Sequence, residues 1–335
     1  MDGEDEAAVV ERYARFARDE APGRSPLYEE WAAGVAADPD LARILARIPA
    51  SRRQPPLVFA VSRMLGAPEA PFPAWATWVR AQADDLVAEG SVRRLQTNEP
   101  QRCAALLPGL ATIDGPLALL ELGASAGLCL FPDRYSYRYR RGASVVGLDP
   151  ATGPSAVVLE CDVTGDAPLR MPEVVWRAGI DLAPLDAADP DDRRFLESLV
   201  WPGERGRVER IAAALDIAAV DPPLLIAGDA SDPEVLRRTA ALAPPDATLV
   251  VTTPGVLPHV PRAGRERVIA AVTALDAVWI TIDPPGLHEG VPSVDAEAWG
   301  GFALARDGAA LAAVDPLGSF VHWRASRAGK TDAAH

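Results

Sequence analysis

The sequence predicts an α/β fold, a mostly parallel Rossmann-like sheet with an N-terminal helical cap domain. Three observations carry this. The first hundred or so residues place apolar side chains at helical spacing. Beyond them, short apolar runs bounded by turn residues alternate with helical stretches, the pattern of βαβ units and a parallel sheet. One of those runs, residues 117–122, breaks into the glycine-spaced turn Gly123-Ala124-Ser125-Ala126-Gly127. A chain of 335 residues has room for about two domains. The expected division is a helical domain over 1–110, an α/β domain over 111–325 and a disordered tail over 326–335.

The elements follow in order. Residues 9–18 set Val9, Tyr13, Phe16 and Ala17 on one helical face. Ser25-Pro26 opens a second helix through Leu27, Trp31 and Val35, with Ser as cap and Pro in the first helical position. Asp38-Pro39 starts a third, striped by Leu41, Ile44, Leu45 and Ile48. Helices are also expected over 56–65 and over 74–89, the latter carrying Trp75, Trp78, Val79 and Leu86. These Trp and Leu stripes read as core, not as a cofactor box. Strands are expected over 117–122, 144–148, 223–227, 248–252 and 277–282, with helices over 233–242 and 263–275. Residues 301–305, 310–314 and 320–323 read as an antiparallel addition.

Charge narrows the partners. With 33 Lys+Arg against 47 Asp+Glu the chain carries −14, which excludes nucleic acid and anionic membrane as main partners, because both demand a basic face. Arg134, Arg138, Arg140 and Arg141 form a local basic patch, read as a solvated face before a small-anion site. The acidic start and the lack of any run of about 18 apolar residues predict a cytoplasmic protein with no leader and no span. Cys103, Cys129 and Cys161 are scattered, so neither disulfides nor a metal site is expected. A small-molecule substrate is expected, with a homo-dimer or a hetero-complex with a pathway partner as options.

Parallel sheets bind ligands outside the carboxyl ends of their strands. Glu121 stands two residues before Gly123, giving E-x-G-x-x-x-G and not the G-x-G-x-x-G of dinucleotide binders. Gly123, Ala124, Ser125 and Gly127 are expected to cradle a ligand with bare backbone N–H groups, with a following helix offering its positive end. Asp149, after the second expected strand, would read a ribose diol or cap the Pro150 turn. Gly228-Asp229-Ala230 would meet an adenine amino group, unless Asp229 or Ser231 caps the helix at Pro233. Thr252-Thr253-Pro254 would face a transferred group, and Asp283 ends the fifth strand. Arg177 and Asp181, four apart, could pair. H-E-x-x-H and the phosphate P-loop are missing, and α/β-hydrolase chemistry is not expected either.

Several blocks extend the pattern: Ser25-Pro26-Leu27-Tyr28-Glu29, Gln96-Thr97-Asn98-Glu99 with Arg102-Cys103, Asp133-Arg134-Tyr135, Trp176-Arg177-Ala178-Gly179-Ile180-Asp181, and Leu199-Val200-Trp201-Pro202. With the Glu121 turn, they resemble the bacterial domain-of-unknown-function family 2332 over nearly the whole chain. That family's fold is similar to that of S-adenosylmethionine (SAM) dependent methyltransferases. The resemblance implies methyl transfer to a small molecule in bacterial secondary metabolism, with SAM and no metal. Glu121, Gly123, Ala124, Ser125, Gly127, Asp149, Asp229 and Ala230 are then the cofactor set. Asn98, Arg102, Arg177, Thr253 and His259 face the substrate, and Glu99, Asp181 and Asp283 are candidate bases. Two readings stay open beside it: a SAM-independent substitution or ring closure on the same fold, and a non-catalytic subunit of a heteromeric biosynthetic enzyme. The chain departs from the family pattern at Thr252-Thr253-Pro254 and at Cys129.

Overall fold

The computed structural model describes residues 3–287 and 299–324, so the expected tail at 326–335 lies outside the described residues. Six helices come first: α1 (Gly3–Asp19), α2 (Pro26–Ala37), α3 (Pro39–Ala46), α4 (Pro55–Met64), α5 (Phe72–Ala81) and α6 (Ala83–Val92). α7 (Arg102–Leu110) leads into β1 (Pro116–Leu122), a 3-10 turn at Leu128–Leu130, β2 (Ser136–Arg141), β3 (Ser144–Leu148), β4 (Val158–Thr164) and β5 (Glu173–Asp181). Next come α8 (Pro190–Ser198), α9 (Arg207–Val220), β6 (Leu224–Ala227), α10 (Pro233–Ala240) and β7 (Thr248–Pro254). A 3-10 turn at Leu257–His259 precedes α11 (Arg262–Thr273) and β8 (Val278–Asp283). β9 (Phe302–Arg306), β10 (Ala309–Val314) and β11 (Phe320–Trp323) close the described chain. No helix among the described residues is long and apolar enough to cross a membrane.

The chain divides into two compact units, Met1–Thr97 with Ala188–Ala212, and Asn98–Ala187 with Ala213–His335. The helical unit therefore ends earlier than residue 110 and takes in a later segment that the sequence reading gave to the sheet. Both differences have a packing cause. α7 is buried from Cys103 to Leu110, so it has no polar face and belongs inside the sheet unit. α8 buries Phe195 and Leu196, and Arg63 of α4 donates to the carbonyls of Ser198 and Val200.

In the helical unit, Ser25 accepts from the Tyr28 N–H and Asp38 from those of Asp40 and Leu41, the caps that the sequence predicts. Phe59 has five aromatic neighbours, Tyr13, Phe16, Tyr28, Trp31 and Trp75, at centroid distances of 4.9 to 6.2 Å. Trp31 and Trp75 stack at 5.0 Å with no exposed surface, so the aromatic stripes are core. The single helix expected over 74–89 is instead two, because the chain leaves helical angles at Gln82 (φ −115°, ψ 26°). No Gly or Pro marks that break.

The sheet unit holds eleven strands in the order β3-β2-β4-β11-β10-β9-β8-β7-β1-β5-β6. From β8 to β6 all neighbours run parallel. β9 and β10 add antiparallel strands, β11 pairs parallel with β4, and β3 closes the far edge as an antiparallel hairpin with β2. The run 144–148 is thus an edge strand and not the second parallel strand. From β1 the chain goes to that far edge, forms β2, β3 and β4, and returns as β5 beside β1.

β1 is buried from Leu117 to Leu122. Leu120, Leu122, Ala178, Ile180 and Val251 pack on one face under Leu236 of α10 and Val268 and Val272 of α11. On β2 the alternation turns Tyr137 and Tyr139 inward while Arg138 and Arg140 face out. Arg138 pairs with Asp149 at 3.0 Å, and Arg140 with Glu160 and Asp162 at 2.7 Å each. Those arginines of the basic patch belong to an ion-paired, solvated sheet face.

Candidate functional site

The carboxyl ends of the five parallel strands lie side by side because their register is close to even. Glu121 of β1 stands opposite Gly179 of β5 and Thr252 of β7. The turn after β1 needs left-handed backbone at Gly123 (φ +74°), Ser125 (φ +54°) and Gly127 (φ +73°). A Cβ on Gly123 would overlap Val256 Cγ2, and one on Gly127 would sit 2.9 Å from Pro223 Cγ.

The turn is not the bare amide cradle that its spacing predicts. The Gly123 and Ala124 N–H groups donate to the Ile180 carbonyl, that of Gly127 to the Ala124 carbonyl, and that of Leu128 to Asn98 Oδ1. The Ser125 N–H donates to Asp181 Oδ2 at 2.8 Å. The expected helix is also missing; one 3-10 turn follows, and the chain leaves for β2. Apart from the Ala126 N–H, which makes no hydrogen bond among the described residues, the turn's polarity toward a ligand therefore resides in side chains.

Those side chains are buried. Glu121 is 4% exposed, and its Oε2 accepts no hydrogen bond among the described residues. Burial holds its carboxyl well above the usual carboxylate range; the Cys129 thiol and the Asp181 carboxylate push the same way, and Arg102 opposes. Arg102 makes no ion pair with Glu121, since its guanidinium donates to the carbonyls of Pro254 at 2.9 Å and Pro316 at 3.0 Å. Asn98 Nδ2 and Ser125 Oγ are likewise buried without a partner among the described residues. Glu99 accepts from the Gln101 N–H, and its carbonyl accepts from the Cys129 thiol. Cys103 in turn donates to the Cys129 carbonyl at 3.5 Å. The block 98–103 is therefore tied to the segment that follows the glycine turn.

At the neighbouring strand ends, Asp181 accepts from Ser125 and, through Oδ1, from the Ala183 N–H. It closes β5, the strand beside β1. Asp149, the expected ribose reader, closes β3 at the far edge, eight strand positions from β1 or roughly 38 Å along the sheet. There it accepts from Ser136 and Arg138. Arg177 does not pair with Asp181. On a strand, four residues span roughly 13 Å, and Arg177 instead donates to the Leu130 carbonyl and to Asp133 Oδ2.

Asp229 is exposed after β6 and accepts from the Ser231 N–H, while Asp232 caps α10 in place of either expected residue. Ala230, partly buried, packs on the sheet core. Thr253 is fully buried and accepts from the Trp279 indole at 3.1 Å. Asp283 closes β8 with no exposed surface, and His259 is exposed in the turn after β7. Asn98, Arg102, Glu121, Ser125 and Asp181 come together; Asp149 and Arg177 stand apart. Sequence reading sets α/β-hydrolase chemistry aside for want of its G-x-S-x-G motif, but Gly123–Gly127 spells that motif, so the exclusion loses its ground.

The fold and these strand ends define a mixed α/β protein with a buried polar cluster at the carboxyl end of its central parallel strand. It belongs to the family of uncharacterized proteins conserved in bacteria, DUF2332, whose pattern matches residues 10–323. No curated protein and no solved structure matches the chain.

Proposed function

We propose that the protein is a SAM-dependent methyltransferase-like enzyme acting on a small molecule, in keeping with a role in bacterial secondary metabolism. The observation that carries this is the order of the parallel strands. Counted along the chain, β1, β5, β6, β7 and β8 lie in the order third-second-first-fourth-fifth, the doubly wound arrangement in which ligands cross the first strand's carboxyl end. Glu121 lies one residue before the end of the first, Asp181 ends the second, and Asp229 follows the third by two residues. Bound there, SAM would supply an electrophilic methyl group on sulfur.

The residues present fit that group. Glu121, Asn98 and Ser125 carry buried polar atoms around the turn that have no hydrogen-bond partner among the described residues. In this reading Glu121 takes the ammonium group, Asp181 the ribose hydroxyls and Asp229 the adenine amino group, so Asp181 replaces Asp149. Methyl transfer asks the protein chiefly for positioning and exclusion of water. Glu99 and Asp283, both buried, are the carboxylates for taking up an acceptor's proton.

The test is calorimetry with SAM and with S-adenosylhomocysteine on the full chain. Saturable binding that Asp181→Asn weakens and Asp149→Ala leaves unchanged supports the reading. No binding at millimolar SAM overturns it, and leaves the SAM-independent enzyme or the subunit reading.

A further inference from the structure

We infer that Ser125 Oγ is an acyl acceptor, taking the acyl group of a small activated ester such as an aryl ester or thioester. This goes beyond the cofactor reading, which gives the turn's hydroxyl only a binding contact. The G-x-S-x-G sequence follows the central parallel strand directly; a 3-10 turn stands where a helix would complete the motif, and the strand and the tight turn that present a nucleophilic serine are in place. Ser125 is one of two non-glycine residues with positive φ among the described residues. The other, Asp307, lies in the Asp307-Gly308 hairpin turn between β9 and β10, where left-handed backbone is the rule. Serine has no such turn preference, and strained backbone of this kind gathers at reactive positions. Its hydroxyl is buried and accepts and donates nothing among the described residues, whereas buried hydroxyls ordinarily find a partner.

Two further groups complete the arrangement. The N–H of Ala126, the residue after the serine, makes no hydrogen bond among the described residues and is the donor that such turns aim at a developing oxyanion. Asp181 Oδ2 lies 2.8 Å from the Ser125 nitrogen, and each of its oxygens keeps a lone pair beyond the one N–H it accepts. In the acylation step Ser125 Oγ bonds to the carbonyl carbon. The bond from that carbon to the phenolate or thiolate breaks, and the leaving group departs with the electron pair. Asp181 accepts from the Ser125 nitrogen and not from its hydroxyl, so the serine proton passes by way of one water to the Asp181 carboxylate and on to solvent. Attack by water on the acyl-serine returns the free hydroxyl and a carboxylic acid. A carboxylate is a weaker base than imidazole, which confines the reaction to good leaving groups.

The experiment uses the full chain with p-nitrophenyl acetate, following p-nitrophenolate release and mapping the acetyl group by peptide mass spectrometry. The expected result is one acetyl group on the peptide that contains Ser125. Release should fall at least about tenfold in Ser125→Gly, whose backbone suits φ +54°, and roughly a hundredfold in Asp181→Asn, the low end of a general base's contribution. Acetyl found only on other residues, or equal release from folded Ser125→Gly, overturns the inference. The wild-type map stands even if a variant fails to fold. Because the assay contains no SAM, its failure and the failure of SAM binding are separate results.

Discussion

Replacing Gly123 with alanine tests whether the turn after β1 is held by packing and not by a ligand. At φ +74° an L residue costs about 1–2 kcal/mol in left-handed backbone. The new methyl would overlap Val256 Cγ2 and sit 3.3 Å from Val256 Cβ, and overpacking of that kind costs about 1–3 kcal/mol. Val256 is β-branched, so it has few rotamers in which to escape. Together these give a loss of about 2–5 kcal/mol. The assay is urea denaturation followed by tryptophan fluorescence, with Gly123→Ala, Val256→Ala and the double variant forming a cycle. The backbone part persists in the double variant and the steric part disappears, so the coupling should be about 1–3 kcal/mol in favour of the pair. A coupling within about 0.5 kcal/mol of zero, or a Gly123→Ala protein as stable as wild type, refutes the reasoning.

Three further outcomes follow from the same region. Arg177→Met should lose about 1–3 kcal/mol, because it takes the 2.7 Å partner from the partly buried Asp133 carboxylate, leaving it only the more exposed Arg134 at 3.6 Å, and strips the Leu130 carbonyl of its donor; adding Asp133→Asn should restore part of that in a thermal melt. Ser125→Gly should stay within about 1 kcal/mol of wild type or exceed it, since glycine accepts positive φ freely, and a larger loss would show that the hydroxyl holds the turn. Glu121 holds its proton more tightly in the folded protein than its ordinary value of 4.5. The folded state therefore binds more protons than the unfolded chain above that pH, and this contribution to stability, complete below it, is lost as pH rises. Glu121→Gln should remove that part of the slope in melts taken across acid to neutral pH.

Much of the fold is legible in local sequence because its signals are local. Ser25-Pro26 and Asp38-Pro39 start helices where caps and proline say they should, and the runs at β1, β6, β7 and β8 are apolar enough to read as buried strands. β2 and β4 were readable too, but by alternation: Val-Leu-Glu-Cys-Asp-Val-Thr buries every second residue, and Ser-Tyr-Arg-Tyr-Arg-Arg alternates buried tyrosines with more exposed arginines. A search for continuous apolar runs passes over both. The place given to Asp149 follows from that. With β2, β4 and β5 passed over, the run at 144–148 stands next in sequence to β1, and Asp149 is taken to close the strand beside it, a place that Asp181 holds. Strand adjacency is a property of the sheet, and no spacing rule within one chain can supply it when the connection makes an excursion through three other strands.

The amide accounting at the turn changes what the glycines there mean. A cradle binds through backbone N–H groups, so glycine is required for the ligand's approach. Here all of those groups but the Ala126 N–H are held by Ile180, Ala124, Asp181 and Asn98, so Gly123 and Gly127 answer to Val256 and Pro223, which are protein neighbours. Stability and binding thus separate along the turn. Substitutions at the glycines should register as lost folding free energy, whereas those at Glu121, Ser125 and Asn98 Nδ2 alter groups that have no hydrogen-bond partner among the described residues. A buried polar atom without a partner costs about 1–3 kcal/mol. Three such atoms around one turn are a standing cost that packing alone does not explain. A small polar ligand, whether cofactor or acyl donor, is what would offset it.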